Sequence, residues 1–356
     1  MEMVKKERDY LFDNYKVFLI FLVVIGHFIE PSYTNNGFLY TLKWFIFSFH
    51  MPAFIFISGY FSKRELPLKD LVWKLAVPYL VYEVIYYLLY TLILHKPTSL
   101  DLLCPKFSLW YILALFVWRA FTPYVKKIPC HMILAIAAGL LIGCSDMKDN
   151  FLSIPRILVY YPFFLAGIHF QKEMVQRLRD RTMRILSACG VLAFTAYLIF
   201  DPFHKAYLPK IFYGRYNYDF LGQTTEEGIL WRLFCYVIGF GLTFAFLALI
   251  SAKQGPFSYI GARTMGIYLF HGLVYSCLKG TPLLKNVDTL PESLLLVTCC
   301  AALTLFLSAP LFTAFTNKVS NLRLSSRKLP AAPHLPTAPK LPAPERRFQN
   351  PPRKYV

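Results

Sequence analysis

Apolar runs of near membrane-spanning length recur along this chain, separated by short polar connections. About ten are present, at 16–32, 39–61, 71–94, 107–122, 130–145, 155–171, 184–200, 229–250, 264–279 and 293–316. A bilayer core of about 30 Å needs roughly 20 apolar residues in a helix. The pattern therefore predicts an all-α, polytopic membrane bundle of about ten helices. The runs at 130–145, 155–171 and 264–279 are the shortest. The first apolar run has no small-residue cleavage site after it, so it reads as a span rather than a removed leader.

Charge adds orientation. Basic connections follow every second run, as in "SKRELPLKD" at 62–70, "RAFTPYVKK" at 119–127 and "KEMVQRLRDRTMR" at 172–184. With the two termini, this set carries most of the 38 Lys and Arg. Positive residues collect on the cytoplasmic side, so both termini are expected inside, in a plasma (inner) membrane. The net charge of +18 would suggest nucleic acid in a soluble protein. Here the chain is 56% hydrophobic and only 16% charged, which argues against nucleic acid and for contact with membrane lipids. Residues 1–320 are expected to form the membrane domain. Residues 321–356 are rich in Pro and basic groups, and are expected to be a disordered cytoplasmic tail beside anionic head groups. The eight cysteines form no C-x-x-C pair, so neither a metal site nor a disulfide framework is expected.

The chemistry starts in "FDNYKVFLIFLVVIGHF", residues 12–28. Ionisable groups in an apolar span are costly and call for a reason. Lys16 and His27 are eleven residues apart, about three turns, so they share one face about 16 Å apart along the axis. Asp13 lies three residues before Lys16, close enough to pair with it. His50, Arg156, Arg232 and His271 add titratable groups to other spans, which points to a polar cavity within the bundle. Trp110, in "FSLWYILALF", reads as a packing or interface aromatic. The tyrosine-rich connection 201–228 suits a carbohydrate or a membrane interface equally well.

The ordered blocks Arg8, Phe12-Asp13, Lys16 and His27, then "FHMPAFIFISGYF", "LWYILALF", "PRILVYYPFFLAG" and "IGARTMGIYLFHG", resemble the membrane-bound acyltransferase 3 family, in particular its fucose 4-O-acetylase-like branch. The resemblance covers residues 8–315. Many members have Arg where this chain has Lys16, and Lys cannot make a bidentate fork. The resemblance implies O-acyl transfer from cytoplasmic acyl-CoA, commonly acetyl-CoA, to a hydroxyl of a cell-surface carbohydrate or lipid-linked glycan. The residue chemistry agrees with that. A sugar hydroxyl is a weak nucleophile that needs a base, and imidazole titrates near pH 7. His27 is expected to act as general base or as an acyl-accepting nucleophile. Lys16, with Arg8, is expected to meet the phosphates of CoA, and Asp13 to hold Lys16. His50, Arg156 and His271 are expected to line the site. The rival expectation is a secondary transporter. It is disfavoured because no inverted repeat with matching broken helices is evident.

Overall fold

The computed structural model describes residues 9–147, 150–200 and 208–321. Arg8 lies outside them, as do all but the first residue of the expected tail and the start of the tyrosine-rich connection. Helices stand at all ten expected positions. They are α1 (Tyr10–Phe28), α2 (Gly37–Tyr60), α3 (Leu68–Ile93), α4 (Trp110–Val125), α5 (His131–Leu141), α6 (Ile154–His169), α7 (Arg181–Phe200), α8 (Thr225–Leu249), α9 (Thr264–Leu278) and α10 (Leu290–Leu307). Seven are long and apolar enough to cross a bilayer unaided: α1, α2, α3, α6 with its preceding turn, α7, α8 and α10. At 11 residues α5 rises only about 16 Å, far less than the hydrocarbon thickness. The protein is an all-helical, multi-pass membrane bundle.

Burial separates centre from rim. Of α2's most apolar stretch 78% is buried, against 6% for α7. α7 thus has few protein neighbours and presents its side chains outward, as expected of a helix bathed in lipid. α1 and α2 form the middle, packed against α6, α8, α9 and α10.

Glycines set the closest crossing, between α2 and α6. A Cβ on Gly59 would lie 2.1 Å from the Phe164 carbonyl oxygen, and one on Gly167 would lie 2.0 Å from that of Phe56. Here backbone meets backbone. Close approach of this kind is how helices gain packing energy where lipid supplies no hydrophobic drive. Gly59→Ala should therefore cost about 2 kcal/mol or more, by overpacking. Gly190→Ala, with no atom within 4 Å of its added Cβ, serves as the neutral control. The melting midpoint in detergent measures both. Equal midpoints for the two variants would refute the contact.

The starts of α1 and α2 are fixed by polar side chains. Near the start of α1, Asn14 donates from Nδ2 to the carbonyls of Ser251 and Lys253, both at 2.8 Å, and accepts from the Ser258 hydroxyl at 2.5 Å. Beyond its far end, Asn36 caps α2 by accepting from the Leu39 N–H. It also donates to the Val287 carbonyl and to the Ser293 hydroxyl, tying α2 to the start of α10. Such bonds satisfy backbone groups that a helix terminus leaves open. The Asn14 bonds hold the start of α1, the helix that carries Lys16 and His27, against the 251–258 segment, and the Asn36 bonds hold the start of α2 against the 287–293 segment.

Candidate active site

Two cavities lie along α1. The first, about 230 Å³, is lined by Lys16, Phe61, Ser62, Arg119 and Thr264 among others. The second, about 200 Å³, is lined by His27, His50 and Arg156, with Glu30, Asn150 and Arg215 beside them. Val23, Met51 and Tyr268 line both, so the two spaces adjoin at these three side chains, which form the wall between them. One helix thus presents its lysine to one space and its histidine to the other, as their shared face requires.

At the first cavity, Lys16 Nζ lies 2.9 Å from Asp13 Oδ1 and 5.7 Å from the Phe61 ring centroid. Asp13 is buried, and Lys16 keeps about a fifth of its side chain exposed, facing the open space. The cavity surface is otherwise mostly apolar, which suits a long flexible chain with a charged end.

At the second, the His27 imidazole makes no hydrogen bond to the described residues. It rests between rings, with centroids 4.7 Å from Phe107, 5.4 Å from His271 and 6.2 Å from Tyr275. The group is therefore held in place by packing while its nitrogens stay available. His50 Nδ1 lies 2.7 Å from the Ile46 carbonyl, and His271 Nδ1 lies 3.1 Å from that of Ile267. A carbonyl can only accept, so each Nδ1 carries its hydrogen and each Nε2 keeps a lone pair. His271 is wholly buried, and its Nε2 has no partner among the described residues. His271 does not line the cavity; it backs His27. Arg156 lies over the Trp110 ring at 5.0 Å, and Trp110 stacks on Tyr160. Trp110, read from sequence as a packing aromatic, is also part of the cavity wall.

Arg232 does not join the site. It donates to the carbonyls of Gly139 and Tyr216 at 3.1 and 3.0 Å and covers the Tyr218 ring, so its role is to satisfy backbone. The tyrosine-rich connection divides in the same way. Tyr213 and Arg215 reach the second cavity, whereas Tyr218 is buried and donates to the Leu140 carbonyl.

Three charged groups escaped the sequence reading. Lys43 of α2 is completely buried and ion-paired with Glu30, and Glu30 also accepts from the Tyr213 hydroxyl at 2.8 Å. Glu83 of α3 is buried as well, accepting from the Lys106 N–H at 2.7 Å with the Lys106 amine at 3.5 Å. Lys43 and Glu83 sit inside apolar runs, the very signal that singled out His27. Among the described residues no cluster of three or more His, Cys, Asp or Glu is placed to hold a metal ion.

Comparison with known proteins finds two similar curated proteins and one matching family. Two nodulation proteins NolL are similar, from Sinorhizobium fredii (27% identical over 211 residues, 52% of this chain and 56% of the relative) and from Mesorhizobium japonicum (28% over 189 residues, 47% and 49%). The chain spans about half the length of these curated relatives. No solved structure matches it. The family model described as "acyltransferase domain" matches residues 9–313, which contain both cavities and all of α1, and the chain is a member of this acyltransferase 3 family.

Proposed function

We propose that this membrane acyltransferase moves an acyl group, most simply acetyl, from cytoplasmic acyl-CoA to a hydroxyl of a cell-surface or lipid-linked carbohydrate. The observation that carries the reading is the pair of abutting cavities on α1, with Lys16 in one and His27 in the other. CoA is polyanionic and cannot cross lipid unaided. Its phosphates meet Lys16 and Arg119 at the first cavity, Asp13 steadies Lys16, and Arg8, outside the described residues, is proposed as a further phosphate partner. The pantetheine arm extends along α1 and brings the thioester toward the wall at Val23, Met51 and Tyr268. The axial span of about 16 Å from Lys16 to His27 suits such an arm.

The acceptor hydroxyl enters the second cavity. His27 takes its proton as the oxygen attacks the thioester carbon, the C–S bond breaks, and CoA leaves as the thiol. The negative charge that develops on the carbonyl oxygen needs donors, and the Arg156 guanidinium on the cavity wall is suited to supply them. His50 and His271 complete the polar surroundings. If His27 instead receives the acyl group first, the same walls serve both half-reactions.

The basic loops support an orientation with the Lys16 end and both termini in the cytoplasm, in an inner (plasma) membrane. Sealed vesicles test chemistry and sidedness together. Inverted vesicles containing the protein should release CoA from external labelled acetyl-CoA and pass the label to glycan, and right-side-out vesicles should do so only when permeabilised. An intact thioester in every preparation would mark a transporter. Release from right-side-out vesicles alone would reverse the orientation.

A further inference from the structure

The Glu30–Lys43 pair belongs to the second cavity, but the acyl-transfer steps above do not use it. Its two halves differ. The Lys43 side chain is fully buried, with its ammonium 3.0 Å from the Gly26 carbonyl and 4.1 Å from the Phe47 ring centroid. Glu30, by contrast, keeps about a third of its side chain exposed (34%) and lines the cavity. Tyr213 donates to the same carboxylate, at 3.1 Å to Oε1 and 2.8 Å to Oε2. An ionised carboxylate offers about four acceptor positions. Lys43 and Tyr213 do not fill them, so acceptor capacity is left facing the open space. Removing the lysine's charge from water is costly. Here it holds one carboxylate, ionised and oriented, at the cavity edge.

Position adds to this. Glu30 follows His27 by three residues, and its N–H donates to the His27 carbonyl at 3.2 Å. Residues three apart at a helix end have Cβ atoms about 5–6 Å from each other on one side, close enough for both side chains to reach one sugar ring. The walls beside Glu30 are the rings of Phe47 and Tyr213, whose centroids are 4.9 Å apart, with Trp110 also in the lining. Apolar ring faces with a hydrogen-bond acceptor at the edge match a sugar's C–H face and its hydroxyl rim. At about 200 Å³ the space is smaller than the roughly 300 Å³ of an ordinary small-molecule site, which limits it to about one ring.

We propose that the His27 cavity is a single-residue sugar subsite, in which Glu30 accepts hydrogen bonds from the hydroxyls flanking the one to be acylated, and Lys43 and Tyr213 are positioning residues for that carboxylate. The assignment takes its chemistry from the acyl-transfer reading and adds to it the group that selects the acceptor hydroxyl.

The test is equilibrium binding of methyl glycosides of neutral hexoses and N-acetylhexosamines to the full-length protein in detergent, followed by tryptophan fluorescence. The wild type should bind at least one glycoside, and Glu30→Gln should weaken it at least about tenfold, as loss of hydrogen bonds to a charged group does. The double variant Glu30→Gln/Lys43→Met removes both charges and leaves no unpaired ion. A purely structural pair can be replaced in this way at little cost. The double variant should therefore fold and still bind weakly. Wild-type affinity in the double variant, or no binding of any glycoside by the wild type, overturns the subsite. If binding follows Glu30 but the wild type never consumes acetyl-CoA, the subsite stands and the acyl-transfer reading falls.

Discussion

His27→Ala is expected to lower acyl transfer at least about 100-fold, the usual contribution of a general base. The protein should remain folded. His27 makes no hydrogen bond to the described residues, so its removal leaves no partner orphaned. The rings of Phe107, His271 and Tyr275 that surround it pack against the rest of the bundle independently. Transfer of labelled acetyl from acetyl-CoA to glycan, together with the melting midpoint of the variant, separates chemistry from stability. A variant that keeps more than about a tenth of the wild-type rate would remove His27 from both its proposed roles.

Lys16→Ala should act at the other cavity and on another constant. The KM for acetyl-CoA is expected to rise about 10- to 100-fold, the worth of a hydrogen bond to a charged group, with kcat at saturating donor changed only slightly. Binding energy lost equally from ground and transition states shows in KM alone. Lys16→Arg keeps the charge and should retain most of the donor affinity, because a phosphate can be met by a point charge or by a fork. Asp13 loses its 2.9 Å partner in the alanine variant, so stability must be measured alongside. Lowered kcat with an unchanged donor KM would exclude the phosphate role and suggest instead that Lys16 acts on the chemical step.

Much of this protein could be read from one residue pattern. Length and apolarity located the ten main helices, although the run 293–316 breaks at Ser308–Ala309 before a second short helix, Pro310–Ser320, and an eleven-residue spacing put Lys16 and His27 on one face of α1. What the sequence could not supply was the neighbour of each charge. Arg232 and Arg156 look alike in sequence, both cations inside apolar runs. Only the fold gives Arg232 two backbone carbonyls and places Arg156 on the Trp110 ring in the cavity wall. Glu30 was overlooked for a different reason. A carboxylate at the end of a span reads as an interfacial residue, and its partner Lys43 comes from the next helix, across a turn whose geometry the pattern does not encode. Trp110 shows the same limit for aromatics, since packing and lining a cavity draw on one side chain.

The wall between the two cavities has a consequence for the cell as a whole. A continuous watery passage through this bundle would leak ions, and a single charge falling through 100 mV releases about 2.3 kcal/mol of the stored membrane potential. Val23 and Met51 put aliphatic surface at the junction, and the Tyr268 hydroxyl there donates to the Ser108 carbonyl rather than to water. Apolar constrictions of this kind exclude water and so block conduction. An apolar junction of this kind disfavours ion passage, so the bundle can hold a polar space on each side of it without a continuous watery path between them.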